Sequence, residues 1–335
     1  MARCLLTGGA GFIGSHLAEA LTARDHFVRV LDNFSSGLLS NLTAVGERIE
    51  LFVGTVTDRD AVRRAAEGMD YVFHLAAAGS GGRSHEEALL AHEVCATGTL
   101  NVLIAARDAG IRRVVFAASS SVYGVAVPGL VRESDPPQPL SAYAVAKLAG
   151  EHYCAVFSQL EGLETVRLRC FNVYGPRQSR GCSYASVIPL YAELLGSERR
   201  PVLAEDGQRL LDFTYVDDVV QANLLAAEAP RVAGKVYNIG GGSPASLEEL
   251  AMTLNRLLGT QIEPVRRRAE PLDFRHNRPD ISRAQTELGF CPAISLEEGL
   301  RRYLASTSAE RIESQLASSG RATAAPRAST PAQLG

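Results

Sequence analysis

The chain has 335 residues, with 34 Lys and Arg against 37 Asp and Glu, a net charge of −3 and 46% hydrophobic residues. That length suits about two domains of ~150 residues, or one large α/β domain with an appendage, and a core that needs no disulfide. The balanced charge gives no basic footprint for nucleic acid, and no apolar run approaches the roughly 18 residues of a membrane span.

Arg3–Leu6 reads as a buried strand, and Ile13–Thr22 as a helix. Val28–Leu31 is a second strand and Asp60–Glu67 a second helix. Tyr71–Leu75, the helix Leu89–Ala109 and the strand Val114–Ala118 continue the alternation. Near-continuous apolar strands between helices predict a parallel sheet covered on both faces. Asp135–Pro139 breaks the pattern ahead of a helix from near Ser141 toward Leu160, and Glu164–Cys170 is the next strand. From Asn172 the elements shorten, at Ala185–Leu195, Asp217–Ala229 and Leu247–Leu258. We therefore expect a domain over 1–171, a smaller irregular lobe over 172–305 and a disordered tail over 306–335. Segments near 212–240 are expected to return to the first domain. MARCLLTGGAG holds no signal-peptide core, and the six cysteines form no CxxC pair. Both point to a cytoplasmic protein without a metal site.

Gly8, Gly11 and Gly14 lie between the first strand and the first helix. Glycine permits a tight turn and close approach of backbone to a pyrophosphate, which the helix N-terminus then attracts. Phe12 and Ile13 belong to the same turn. Asp32 ends the next strand, 18 residues after Gly14, where a carboxylate can accept both adenosine ribose hydroxyls. It would repel a 2′-phosphate, and Asn33, Phe34, Ser35, Ser36 and Gly37 supply no cation, so NAD is expected over NADP. Tyr143 and Lys147 are spaced i, i+4 on one helix face. A free phenol has a pKa of about 10, and a nearby ammonium favours its phenolate. Tyr143 can then accept a sugar hydroxyl proton. Ser119, Ser120 and Ser121 follow a parallel strand at the edge where α/β sheets bind ligands.

These motifs resemble the extended short-chain dehydrogenase/reductase family. They comprise the glycine turn, Asp32-Asn33, His74-Leu75-Ala76-Ala77, Ser119–Gly124, Tyr143/Lys147 and Arg169–Pro176. Asp212–Asp218, Tyr237–Gly240 and Asp280–Ala284 extend the resemblance across roughly residues 2–303. The resemblance implies an α/β fold, a Rossmann-type doubly wound parallel sheet with a smaller irregular α/β substrate lobe. It also implies a homodimer formed through helices around 89–109 and 142–160. Within the family the chain is similar to nucleotide-sugar 4-epimerases. Gly79-Ser80, Arg83-Ser84 and Tyr184–Pro189 resemble the branch acting on UDP-N-acetylhexosamines. In 4,6-dehydratases an Asp-Glu pair stands at 120 and 121, and UDP-glucuronate decarboxylases have a glutamate at 121; here both positions are serine.

The implied reaction inverts C4 of a UDP- or dTDP-linked hexose through a transient 4-keto sugar and hydride return. The implied catalytic residues are Ser119, Tyr143 and Lys147. Thr55, Val56, Leu75, Ala76, Ala77 and Cys170 join the glycine turn around the cofactor. By the same resemblance Ser80, Ser120, Asn172, Val187, Leu203, Arg209 and Arg275 would contact the substrate. Four positions depart from the family pattern, namely Thr55 for Asp, Cys95 for Asn, and Leu211 and Glu270 for two arginines that clamp the diphosphate. Arg209, Arg267, Arg268 or Arg275 are candidate replacements. Asn277 lies where access for a 2-N-acetyl group is set. The alternatives are a 4-ketoreductase or dehydrogenase of a nucleotide-linked deoxysugar, and a non-catalytic dinucleotide sensor. His74 and Cys95 read as packing residues, and Arg266–Arg268 as a solvated turn or a phosphate contact.

Overall fold

A computed structural model describes residues 1–79, 84–124, 129–178, 187–204, 210–268 and 276–307. The elements follow the alternation in the sequence. In chain order they are β1 (Arg3–Thr7), α1 (Phe12–Thr22), β2 (Phe27–Asp32), β3 (Ile49–Val53), α2 (Arg59–Ala66), β4 (Tyr71–His74), α3 (His85–His92), a π-helical turn over Glu93–Thr97, α4 (Gly98–Asp108), β5 (Arg113–Ser119), α5 (Ala142–Leu160) and β6 (Glu164–Cys170). The second half adds β7 (Val173–Tyr174), α6 (Val187–Gly196), β8 (Val202–Ala204), β9 (Leu210–Leu211), β10 (Thr214–Tyr215), α7 (Val216–Glu228), β11 (Lys235–Ile239), β12 (Ala245–Ser246), α8 (Leu247–Leu258), β13 (Val265–Arg267), β14 (His276–Asn277) and α9 (Ser282–Leu288). A last helix spans 296–307. Residues 308–335, where most of the expected tail falls, lie outside the described residues.

One seven-stranded parallel sheet carries the first half, in the order β3-β2-β1-β4-β5-β6-β11. The reversal between β1 and β4 creates a crevice at the carboxyl ends of the strands, the ligand site of doubly wound sheets. The chain returns from the second half to supply β11, which pairs in register with β6 from Lys235↔Val166 to Ile239↔Cys170. Edge strand β3 went unidentified in the sequence because Glu50, Leu51 and Val53 face solvent, which hides the apolar run.

Helix starts are set by side chains. Asp58 caps α2, Ser141 caps α5, and Ser84 with Glu87 and Ser246 with Glu249 form capping boxes for α3 and α8. The helix expected over 89–109 starts earlier, at His85, and is interrupted by the π turn over Glu93–Thr97. Its full run, 85–108, has the length and composition of a membrane span, but half of it is buried inside the fold against α2 and α5. The main core cluster joins the two halves, since Leu17, Val28 and Phe73 belong to the same buried group as Leu195, Leu250 and Leu254. Beyond β11, the second-half strands form short sheets, β12-β9-β14, β13-β8 and β10-β7.

Candidate active site

The glycine turn is built by contact between backbones. Gly8 has φ +73°, and a Cβ there would lie 2.7 Å from the Ala76 amide nitrogen. A Cβ at Gly14 would collide with the Gly8 carbonyl and lie 2.7 Å from Gly9 Cα. These two glycines let β1, the loop after β4 and α1 meet. At Gly11 a Cβ would approach only the Gly8 carbonyl, at 3.2 Å, so its outer side is open. Gly11 is the N-cap of α1 and contributes no side-chain cap, which leaves the first-turn amides, with Phe12 and Ile13, turned to the crevice end of the helix.

Asp32 closes the other side. Its carboxylate is 7% exposed and accepts from the Ala10 amide at 2.9 Å and the Phe34 amide at 2.8 Å. The Asn33 side chain accepts from the Ser35 amide at 3.1 Å, Ser36 is exposed, and Gly37 packs on the Ala10 backbone. Thr55 shares a hydrogen bond of 3.0 Å with Thr57, and Val56 is buried. Leu75, Ala76 and Ala77 are partly exposed in the loop following β4.

His74 sits behind this loop, fully enclosed between the Thr7 and Thr99 hydroxyls at 2.7 and 2.9 Å. Burial pushes its pKa down to about 3, which keeps it neutral and makes it a packing residue, as its sequence context suggests. Cys95 is also buried, and its sulfur accepts from the Ala78 amide at 3.4 Å.

The catalytic candidates meet at the carboxyl end of β5. Ser119 is its last residue, and α5 crosses beside it, brought close because Gly150 abuts the Phe116 ring. Lys147 is 2% exposed, and its Nζ donates to the Ala117 carbonyl at 2.8 Å. Nζ lies 5.9 Å from the centre of the half-buried Tyr143 ring. Burial lowers the Lys147 pKa, while Cys95, Cys170, Cys154 and Glu151 act the other way. Ser119 Oγ accepts from both the amide and the hydroxyl of Ser121.

One turn beyond Lys147 the same helix face carries Glu151, a residue the sequence reading passed over. Its carboxylate is held by Arg169 Nε at 2.9 Å and by Nη2 at 2.6 Å, with both side chains buried. Arg169 also donates to the Tyr123 hydroxyl at 2.8 Å, and that hydroxyl donates to Asn238 at 2.7 Å. This buried network ties α5, β6, β11 and the turn after β5 together. The four-residue spacing Tyr143, Lys147, Glu151 was visible in the sequence and is the signal that would have found it.

Among the expected substrate contacts, Asn172 adopts φ +33° and donates to the Asp212 carbonyl at 2.7 Å. Asp212 is 1% exposed, and burial pushes its carboxyl up to about 6 against the Gly241 and Gly242 amides and Arg278. Cys170 is partly buried beside Lys147 at the end of β6, and Ser120 and Val187 are partly buried. Leu203 is fully enclosed in the main core, so its side chain packs rather than lines a surface. Leu211 is buried on β9, beside Asn277 of β14. Ser80, Arg209, Glu270 and Arg275 lie outside the described residues. Arg266 and Arg267 form an exposed strand with Arg266 paired to Glu248, rather than a turn. Among the described residues no cluster of His, Cys, Asp or Glu is arranged to hold a metal, and the five described cysteines are free thiols.

Residues 4–240 match the NAD dependent epimerase/dehydratase family. The chain is 36% identical to the UDP-glucose 4-epimerase of Mycolicibacterium smegmatis over 304 residues, covering 90% of this chain and 96% of that one. It is 34% identical to the UDP-N-acetyl-alpha-D-glucosaminuronate decarboxylase of Bacillus cytotoxicus over 315 residues, with coverage of 90% and 96%. The crystal structure of the Thermus thermophilus UDP-glucose 4-epimerase complex with NAD is similar at a TM-score of 0.82 and 34% identity, covering 91% of this chain and 99% of that one.

Proposed function

The chain belongs to the NAD dependent epimerase/dehydratase family, and from that membership and the geometry of its site we propose that it inverts C4 of a nucleotide-linked hexose. One observation carries the choice of reaction. The turn beyond Ser119 presents hydroxyls at 120 and 121, where the resemblance puts carboxylic acids in enzymes that eliminate water or lose carbon dioxide. Redox at a carbinol carbon is the chemistry left to it. The names of the relatives support a UDP- or dTDP-linked sugar.

The residues present fit NAD. The outer side of Gly11 and the uncapped first turn of α1 suit a pyrophosphate, and the buried Asp32 carboxylate lies beside the turn, with lone pairs left for ribose hydroxyls. When bound, the nicotinamide supplies a reversible hydride acceptor. Tyr143 takes the proton from the sugar O4, and Ser119 holds that oxygen. Lys147, fixed on the Ala117 carbonyl, places positive charge near the Tyr143 ring and favours negative charge on the phenol oxygen. The ketone turns over in the site, regains its hydrogen on the other face, and Tyr143 returns the proton to O4. Asn172, held by Asp212, is the sugar-nucleotide contact in this reading. The reading extends to a homodimer, supported by the exposed apolar Leu89, Leu90, Val145 and Val156 on α3 and α5.

The test is incubation of the purified protein with UDP-glucose, UDP-N-acetylglucosamine, UDP-glucuronate and dTDP-glucose, with products read by proton NMR and mass. A C4 epimer of unchanged mass, formed without added reductant, is expected. Loss of water or carbon dioxide would sink the proposal. A second reading, a 4-ketoreductase, is favoured by the buried Leu211 in the place of a clamp arginine. It requires net consumption of reduced cofactor with a 4-keto substrate.

A further inference from the structure

Ser119 Oγ accepts two hydrogen bonds from a single neighbour. The Ser121 amide donates to it at 3.2 Å, and the Ser121 hydroxyl donates to it at 2.9 Å. A serine hydroxyl has two acceptor lone pairs and one proton. Both lone pairs are occupied, and no hydrogen bond from the Ser119 hydroxyl to another described residue is formed. Its proton is the part of the group left to face a ligand. We propose that Ser121 is a positioning residue that fixes Ser119 as a hydrogen-bond donor to the reacting oxygen, which leaves Tyr143 as the sole acceptor of the substrate proton. This rests on the C4 redox reading above.

The assignment divides the work between the two hydroxyls. In the ground state the sugar O4–H donates to the Tyr143 oxygen and accepts from Ser119. As the C4–H bond breaks, its electron pair would leave as hydride, for which bound NAD would supply the acceptor. The O4–H bond breaks as well, its proton goes to Tyr143 Oη, and its electron pair becomes the second bond of the C4 carbonyl. Ser119 keeps its proton throughout. Its hydrogen bond strengthens as negative charge builds on O4, the kind of preorganised donor that favours a transition state over a ground state. Reduction of the ketone runs through the same donor in reverse. A hydroxyl of fixed polarity serves either face of the turned-over sugar, because the oxygen, not the carbon face, is what it holds.

The fold makes this polarity a property of the turn. Ser121 belongs to the 3₁₀ turn Ser120–Tyr123, whose Val122 and Tyr123 are buried at 0% and 7% exposure. Tyr123 is pinned by Arg169 and Asn238, so the turn cannot rotate Ser121 away from Ser119 without breaking the buried network.

The experiment compares wild type, Ser121→Ala and Ser121→Thr as NAD-loaded enzyme, on whichever nucleotide hexose of the panel above the wild type epimerises. Ser121→Ala is expected to lower kcat about tenfold, the size of one lost hydrogen bond, with KM within about twofold. The acid limb of its kcat–pH profile should shift to higher pH, because Ser119, with a lone pair freed, can accept from the Tyr143 hydroxyl and favour the protonated phenol. Ser121→Thr, which keeps the hydroxyl, should restore both. UDP affinity and melting temperature should not change. Wild-type kcat and pH profile in Ser121→Ala would overturn the inference while leaving the epimerase reading standing. So would a Ser121→Thr protein that melts normally but fails to restore kcat. A wild type that epimerises none of the panel removes the reading and this inference together.

Discussion

Strands β1 to β6 run four to seven residues and share one sheet with β11. The remaining second-half strands run two or three residues and are divided among small sheets. In the first region every strand but edge strand β3 has neighbours on both sides within the sheet, so its identity follows from its own apolar run. In the second, the chain beside a strand such as β9 is held by groups from elsewhere. Asp212 reaches the Gly241 amide, and Asn172 reaches the Asp212 carbonyl. The first region is therefore a platform with local determinants. The second region joins helices and short strands through segments tied by a few long-range polar contacts, the kind of region where members of a family can change substrate without changing fold.

The sharpest break in this comparison comes from chemistry on the platform. Tyr143→Phe should reduce turnover by at least about a thousandfold, since it removes the proton acceptor, yet shift melting by no more than a degree or two. Turnover and melting temperature on the same preparation check this, and retained activity would remove Tyr143 from the mechanism. Gly14→Ala should follow. Its Cβ meets backbone that cannot give way, so the variant should carry less than a tenth of the wild-type NAD per subunit and lose on the order of 3 kcal/mol of stability. Bound cofactor released by denaturation, and a urea titration, measure both.

Leu254→Ala probes whether the two regions are separable. Leu254 is fully buried in the cluster that also holds Leu17 and Val28 of the sheet half. We expect a loss of about 2–5 kcal/mol, read by calorimetry as one transition moved to lower temperature. Two separated transitions would show that the regions unfold independently.

The two regions should also differ in pH dependence, with opposite signs. His74, in the sheet half, has its pKa lowered from 6.5 to about 3, so the stability it supports is present above 6.5 and falls as pH drops toward 3. Asp212, in the second region, is raised from 3.8 to about 6, so its contribution is full below 3.8 and is lost as pH rises through 6. Asp212→Asn should thus gain stability relative to wild type between pH 4 and pH 8, by up to roughly 3 kcal/mol. Denaturant titrations of both proteins at the two pH values would expose a flat difference, which would show that Arg278 and the glycine amides already neutralise the cost of burying Asp212.

The sequence by itself determined the platform and the core of its site. Apolar runs separated by helical periods specify a parallel sheet, and the residues from Gly8 to Gly14, Asp32 and the Tyr143/Lys147 pair announce themselves by spacing, because each is a local device on one turn, strand end or helix face. Tertiary structure alone decided what those spacings cannot express. It brought β11 back beside β6, enclosed His74 between two threonines, joined Glu151 to Arg169, and withdrew Leu203 into the core. It also aimed the Ser121 hydroxyl at Ser119. These depend on partners tens of residues away, or on the turn of a hydroxyl about one bond, and neither distance in space nor the direction of a proton is written in the order of residues.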